Sequence, residues 1–471
     1  MAIPKKSISI LLAAGASTRM KSKKSKLLHE VLGRPILDWA LDQSNFFGHS
    51  SVLVVGHQRE EIEKRAREVS SKKIELQFAH QKEPKGTADA VRAALNILEK
   101  ESEDSPIFIM GADSVLLKKE TLQKFLKDFE AKKSILSLMT TRISSPNAYG
   151  RILRNSQGGI EKIVEVKEAN AEELAIDEVN AGFYLIGLKA LREALSQVTN
   201  RNSAKEFYLT DLVSLARSKG WLVTTQEISP NEALGVNTRG DLALVDYILK
   251  TRQNLMWMEK GVTLTDPESI RIDHAVELSE DVTLEPGVQL KGKTKIASGC
   301  SIGSHSILED TILGANVRIE AFSHIKGAEL GAKVSAGPFA RIRPGSVLEE
   351  EVHIGNFVEV KKSHLAKGVK AGHLSYLGDA TIGKDSNIGA GTITCNFDGF
   401  SKFETKIGKN VFIGSNSSLI APLKLGDGVI VGAGSVVTKD VLKDSIVLER
   451  SEQQEKKGGA KIFRENRQKK D

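Results

Sequence analysis

Two sets of residues in this chain have types and spacings suited to chemistry. The first follows the apolar run Ser7–Ala14: it is Gly15-Ala16-Ser17-Thr18-Arg19-Met20, with Lys26 a little further on. A loop after a strand can turn several backbone amides toward one point and cradle phosphates. Arg19 adds mobile positive charge, and Lys26 is spaced to fold back over the same phosphates. A lone glycine-containing loop is also how an ordinary strand-to-helix turn reads. The weight therefore rests on the whole string from Leu12-Ala13-Ala14-Gly15 through Thr18-Arg19-Met20 to Lys26.

The second set interrupts a repeat. It comprises Arg341-Ile342-Arg343-Pro344-Gly345, Gly355–Lys362, Gly372–Asp379, Asn387 and Thr392–Gly399. Arg343, Lys361 and Asp379 follow one another at intervals of eighteen. A coil of that length would stack them on one face, and two aligned cations make an anion site. His373 is the candidate general base, because imidazole titrates near neutrality and can take a proton from an attacking nucleophile. Glu359 and Asn396 are expected to orient its ring. Most of the ten histidines do no chemistry, and a surface histidine at a coil corner is the plain alternative.

These residues need two kinds of scaffold. From about Asp281 to Val447 the chain repeats every six residues. Ile382-Gly383, Ile388-Gly389, Ile407-Gly408, Ile413-Gly414, Leu425-Gly426 and Val431-Gly432 have spacings of 6, 19, 6, 12 and 6. A sustained hexapeptide period marks a parallel β-helix, with the aliphatic residue inside and a small residue at each corner. A Gly- and Val-rich β-sandwich would show no such frame. The spacing of 19 holds one residue too many, and the segment Asn396–Lys402 is expected to project as a loop. The first half instead alternates short apolar runs (Ser7–Ala14, Ser51–Val55, Glu75–Ala79, Ile107–Met110, Ile135–Thr140) with helical patterns. That is an α/β Rossmann-like domain with a mainly parallel sheet, which binds ligands beyond the carboxyl ends of its strands. The boundaries read as 1–236, a connecting helix at 237–260, the β-helix at 261–449 and a basic polar tail at 450–471.

Bulk properties narrow the function classes. A chain of 471 residues calls for two or more domains, and 40% hydrophobic with 27% charged residues is a globular composition. Two distant cysteines, Cys300 and Cys395, form no metal-ligand spacing and read as free thiols of a reducing cytoplasm. No run is long enough to span a membrane. Lys5-Lys6 before Ile8–Ala14 has the outline of a secretory leader, but the apolar stretch is short and runs into the phosphate loop. A cytoplasmic protein with neither a membrane nor a nucleic-acid partner is expected. Of the net charge of +7, residues 450–471 carry +4, from eight Lys/Arg against four Asp/Glu. With one aromatic, Phe463, the tail reads as a solubilising arm.

The string from Leu12 to Lys26 resembles that of sugar-1-phosphate nucleotidylyltransferases, and further stations of that family follow in order. Gln81 and Gly86-Thr87 match the loop that reads uracil, and Asp113 matches the metal-binding aspartate. Tyr149-Gly150-Arg151, Glu165 and Asn180 match sugar contacts. Glu206–Asp211 matches a signature with no assigned chemical role, and Gly235-Val236-Asn237 supplies a second metal ligand. The resemblance implies substrate contacts at Ala13, Gly15, Arg19, Lys26, Gln81, Gly86, Thr87, Gly150, Glu165, Asn180 and Asn237, with Mg²⁺ at Asp113 and Asn237. Taken singly, these residues read as turn formers, caps and solvated charges. Ser17, Ser25, Ala112 and Pro84 depart from the family's usual glycine, proline, glycine and glutamine, so slower turnover or relaxed base choice is expected.

In the second half, Gly372-His373-Leu374-Ser375-Tyr376-Leu377-Gly378-Asp379, Asn387–Thr392 and Thr394-Cys395-Asn396 resemble the acetyltransferase half of the bifunctional N-acetylglucosamine-1-phosphate uridylyltransferase/glucosamine-1-phosphate N-acetyltransferase family. The likeness spans about residues 7–450. It implies a left-handed β-helix and a homotrimer in which the Asn396–Lys402 loop reaches a neighbour. Arg343, Lys361, Tyr376 and Asn387 would hold the sugar phosphate, and His373 would deprotonate the amine. Ala390, Asn396, Phe397, Ser415, Ala433 and Arg450 would contact acetyl-CoA, with Phe397 replacing the family's tyrosine. The implied product is UDP-N-acetylglucosamine, from acetyl-CoA, glucosamine-1-phosphate and UTP. Two rivals stay open: a nucleotidylyltransferase whose β-helix is regulatory, and a non-enzymatic assembly subunit.

Overall fold

The computed structural model describes residues 7–70, 75–145 and 147–468. Lys5 and Lys6, weighed above as part of a leader, lie outside these residues, as do the last three of the tail. The chain divides into two compact units, 1–252 and 253–471. The division falls inside the helix Arg239–Glu259, which the sequence reads as Gly240–Lys260.

The first unit is built on one sheet. Its central path runs Val223–Glu227, Leu136–Arg142, Glu178–Gly187, Pro106–Gly111, Ile8–Ala13, Ser50–Val55, Glu75–His80. Ile8–Ala13 pairs in parallel on both sides, with Ser50–Val55 and Pro106–Gly111. Strands covered on both faces read as unbroken apolar runs, which is why they are legible. Successive residues feed opposite cores: Leu11, Leu53 and Phe108 face one, Ile10, Val52 and Ile107 the other. Five strands were expected, and the sheet is larger and mixed. Glu178–Gly187 runs antiparallel to both its neighbours, and the hairpin Arg151–Arg154/Ile160–Val164 hangs from it. A register shift between Asn180 and Tyr184 marks a bulge in that strand.

The second unit is a left-handed parallel β-helix whose three faces hold eleven, ten and nine strands, each pairing with the strand one coil on. Coiling starts at Thr263–Leu264, before the period becomes readable at Asp281. One aliphatic residue per strand points inward, as in the column Ile342, Val360, Leu377, each no more than 1% exposed. Leu377→Ala opens a void there that stacked neighbours cannot fill. It is expected to cost about 2–5 kcal/mol, read as a lower urea midpoint for the β-helix transition.

Coil length varies, which corrects one expectation. Arg341 pairs with Glu359, a coil of eighteen, but Glu359 pairs with Tyr376 and Lys361 with Gly378, coils of seventeen. Asp379 therefore does not stack under Lys361. It sits under Lys362, both with positive φ, with its Oδ1 3.8 Å from the Lys362 Nζ. The coil from Asn387 to Phe412 spans twenty-five residues and contains the expected loop, closed by a bridge between Phe397 and Lys402. At one corner, positive-φ residues stack their rings in succession: His305, Phe322, Phe339 and Phe357, with centroids 5.1 to 5.4 Å apart. The tail is more ordered than expected. Gly459–Gln468 is a helix with no buried residue, its interior free of glycine and proline.

Candidate functional site

The first unit opens a cleft of about 500 Å³ beyond the carboxyl ends of its parallel strands. Ala13, Gly15, Lys26, Gln81, Gly86, Thr87, Asp113, Glu165 and Asn180 all line it. Arg19, Gly150 and Asn237 do not. Arg19 is exposed on the one-turn helix Thr18–Met20. Gly150 accepts from the Asn180 backbone N–H at 2.9 Å, so it braces a lining residue. Asn237 joins through Lys26, whose Nζ donates both to Asp113 Oδ2 and, at 3.0 Å, to Asn237 Oδ1. A carboxylate and an amide oxygen thus converge on one cationic centre. Hard oxygens in that arrangement suit Mg²⁺ completed by substrate phosphates and water. Among the described residues no group of three or more His, Cys, Asp or Glu side chains competes for such an ion.

The base loop is locked by the segment without an assigned role. Phe207 N–H donates to Lys85 O at 2.8 Å, and Phe207 O accepts from Ala88 N–H at 2.9 Å. Thr87 Oγ1 accepts from Leu209 N–H at 3.0 Å. Gly86 has φ of 113°, and a β-carbon there would lie 2.5 Å from Phe207 O, so only glycine fits. Gln81 Nε2 donates to Gly86 O and Asp89 Oδ2. The same segment reaches the far end of the cleft, where Thr210 Oγ1 donates to Glu165 Oε1 at 3.0 Å. Burial, reinforced by Asp211 and Glu206, raises the Glu165 carboxyl above its usual range, while the Thr210 bond opposes this. Asn180 Nδ2 donates to the Tyr184 hydroxyl at 2.6 Å, and burial drives that phenol's pKa up.

Three departures fit the local backbone and packing. Ser17 holds φ of 57°, the left-handed region glycine enters freely, so the loop keeps its shape at a cost of about 1 kcal/mol. Ser25 holds φ of −54°, close to the value proline would fix. Ala112 is fully buried in the core, so its methyl does not line the cleft; Gly111 and Asp113 line it instead. Pro84 lines the cleft.

In the second unit, His373 is exposed at the end of the strand Lys370–His373, paired with Asn356 one coil before. Its Nδ1 lies 2.7 Å from Asn356 Oδ1. An amide oxygen only accepts, so Nδ1 donates here, and in the neutral ring Nε2 keeps its lone pair. Asn356 is therefore the orienting group, in place of Glu359 and Asn396. Glu359 instead accepts from Arg343 Nη1 at 2.8 Å. Asn396 Nδ2 donates to Asp379 Oδ2 at 2.6 Å and reaches the Tyr376 hydroxyl at 3.5 Å. Strand register explains the exchange: Asn356 lies directly across from His373. A β-carbon at Gly355 would lie 1.8 Å from Gly372 O, so glycine is what lets these two strands approach. Asn356→Ala removes a hydrogen bond worth about 1–2 kcal/mol, so roughly ten-fold in kcat for the thiol-releasing reaction with KM little changed is expected.

Four of the six implied acyl-donor residues share the histidine's edge. The register that pairs Lys370 with Asn387 brings Ala390 beneath His373, and the following coils bring Ser415 and Ala433 below it. Asn416 N–H donates to Ala390 O, Gly434 N–H to Ser415 O, and Arg450 Nη1 to Ala433 O at 3.1 Å. Arg343, Lys361 and Tyr376 lie on the adjoining face, while Asn387 lies on the face across the edge. Asn396 and Phe397 fall at the opposite end of the Arg343 face, away from Ala390. Lys402 of the inserted loop was not foreseen. The nearby ammonium of Lys361, a like charge, holds the Lys402 ammonium below its usual range, opposed by Asp379 and Tyr376. Lys361 and Lys402 thus bring two cations together, whereas Arg343 already has a carboxylate partner. No period in the sequence could reveal a contact made by a loop outside the frame.

Residues 8–226 match the nucleotidyl transferase family, and residues 404–439 match bacterial transferase hexapeptide (six repeats). The chain is 41% identical to the bifunctional protein GlmU of Trichlorobacter lovleyi over 98% of this chain and 99% of that one. It is 45% identical to the bifunctional protein GlmU of a Thermus thermophilus strain over 96% and 98% respectively. For the namesake of Listeria monocytogenes serotype 4a the figures are 40%, 97% and 98%. A likeness of this degree runs through both units, and the chain belongs to the family of bifunctional GlmU proteins.

Proposed function

We propose that the chain makes UDP-N-acetylglucosamine in two reactions at two sites. In the β-helix, His373 Nε2 takes a proton from the amine of glucosamine-1-phosphate as the nitrogen attacks the thioester carbon of acetyl-CoA. The carbon–sulfur bond breaks and coenzyme A leaves. Lys361 and Lys402, with Arg343, Tyr376 and Asn387, hold the sugar phosphate, and the edge from Ala390 to Arg450 carries the acyl donor. In the head, a phosphate oxygen of N-acetylglucosamine-1-phosphate attacks the α-phosphorus of UTP and pyrophosphate departs. No general base is needed, since the attacking phosphate is already ionised. Lys26 and the loop at Gly15 steady the triphosphate, the Gln81–Thr87 loop reads the base, and Glu165 and Asn180 orient the sugar. Asp113 and Asn237 hold Mg²⁺, which when bound offsets the charge of two meeting polyanions. Catalysis there is positioning plus electrostatics.

The observation that carries this reading is the coexistence in one chain of a preformed two-oxygen cation seat and an imidazole with its Nε2 free. A homotrimer in the cytoplasm follows as part of it. One chain leaves the His373 edge open, and it exposes Phe400 at 95% and Phe397 at 58% on the inserted loop. These apolar side chains suit a neighbouring subunit that closes the groove. No described helix is long and apolar enough to cross a membrane. The test is a dual assay on the purified chain: thiol release from acetyl-CoA with glucosamine-1-phosphate, and pyrophosphate release from UTP with N-acetylglucosamine-1-phosphate. A silent first assay beside an active second would restore the regulatory β-helix.

A further inference from the structure

Lys26 sits where a metal ion is expected. Its ammonium bonds to both oxygens that the proposed function gives to the divalent cation, Asp113 Oδ2 and Asn237 Oδ1. The backbones that carry those oxygens are held in place without it. Asp113 O accepts from Val236 N–H at 3.0 Å, and Asn237 N–H donates to Asp241 Oδ2 at 3.0 Å. Lys26 is anchored too, because its neighbours Ser25 and Leu27 are each 3% exposed. What remains free to move is the lysine side chain.

An ammonium and a divalent cation cannot share the same two oxygens, since they would stand a few ångströms apart and repel strongly in a part-buried site. Two protein oxygens are also too few to draw a tightly hydrated Mg²⁺ past a resident lysine. A triphosphate changes both terms. Its oxygens supply further ligands for the metal, and the same polyanion offers the ammonium a new partner.

We propose that Lys26 gates the metal seat: it fills the Asp113–Asn237 position while the cleft is empty and yields to the divalent cation only when a nucleoside triphosphate draws it away. This rests on the reading of Asp113 and Asn237 as the metal ligands. Metal and triphosphate then bind with positive coupling, and each raises the affinity for the other equally. Lys26 thereby has two partners in turn, the seat and then the phosphates.

The test is binding of Mn²⁺, followed by the electron paramagnetic resonance of the free ion, to the full-length protein with and without UTP and with no sugar phosphate present. Asp113→Asn defines the signal that belongs to the seat. Without UTP, wild type is expected to show little Asp113-dependent binding. Lys26→Met and Lys26→Gln are expected to bind Mn²⁺ there about ten-fold tighter or more, the worth of one released charge-assisted hydrogen bond. UTP should tighten wild-type binding by a larger factor than it does in either variant. A gain below about three-fold in both variants, while wild type keeps its UTP- and Asp113-dependent binding, overturns the gate and leaves the seat standing. If Asp113→Asn leaves UTP-dependent binding unchanged, the seat itself is misassigned.

Discussion

His373→Ala is expected to lower acetyl transfer by roughly 10²- to 10⁴-fold, the usual worth of a positioned general base, and to leave pyrophosphate release from UTP unchanged. The reason is local. The amine of the acceptor is protonated in water and cannot attack a thioester until a base removes the proton. In this structure the group with a free lone pair on the edge shared with Ala390, Ser415 and Ala433 is His373 Nε2, held by Asn356 through Nδ1. The ring is exposed, so its loss should not unfold the coil. Coenzyme A thiol release, followed at saturating acetyl-CoA, checks the result. His373→Gln refines it, because glutamine can replace a hydrogen bond but cannot accept the proton, and should fail equally. An undiminished alanine variant would move the base elsewhere and reopen the regulatory reading of the β-helix.

How much of this was legible in the sequence follows from which forces leave a local trace. The coils were readable because each must bury one aliphatic residue and turn at each corner, so Ile382-Gly383 and its successors recur in frame. The central parallel strands were readable because burial on both faces makes them continuously apolar. The antiparallel strand Glu178–Gly187 carries the bulge that aims Asn180, and it was missed, because mixed burial and Gly182 break its apolar run. Coil length was the costlier error. A difference of one residue between eighteen and seventeen moved Asp379 from Lys361 to Lys362, since a one-residue slip redirects every side chain. The same counting would have found Asn356, seventeen residues before His373, as the imidazole's partner. Lys402 had no such signal, because it reaches Lys361 from a loop whose path the period does not govern. The bracing role of Glu206–Asp211 was likewise hidden. It works through backbone hydrogen bonds to Lys85 and Ala88, which no side-chain pattern records.

Asp113→Ala should abolish Mg²⁺-dependent pyrophosphate release, by on the order of 10³-fold or more, while acetyl transfer stays at its wild-type level. A metal ion at a transferring phosphoryl group offsets several kcal/mol of developing charge, and each 1.36 kcal/mol is about ten-fold in rate. Without Asp113 the seat keeps only the neutral Asn237 oxygen and a neighbouring ammonium, which repels the ion. Asp113→Asn keeps the side chain's size and loses its charge. Equal failure of the two variants assigns the effect to charge, whereas activity in the asparagine variant would assign it to shape. Asp113 lies in unit 1–252 and His373 in unit 253–471, each with its own core. Among the described residues no hydrogen bond of the second unit involves the Asp113 carboxylate, so the acetyl reaction should not sense its removal. Both activities measured on one preparation of the variant decide the matter. If they fall together, the two reactions are not housed separately, and the division of labour argued from the two sites is wrong.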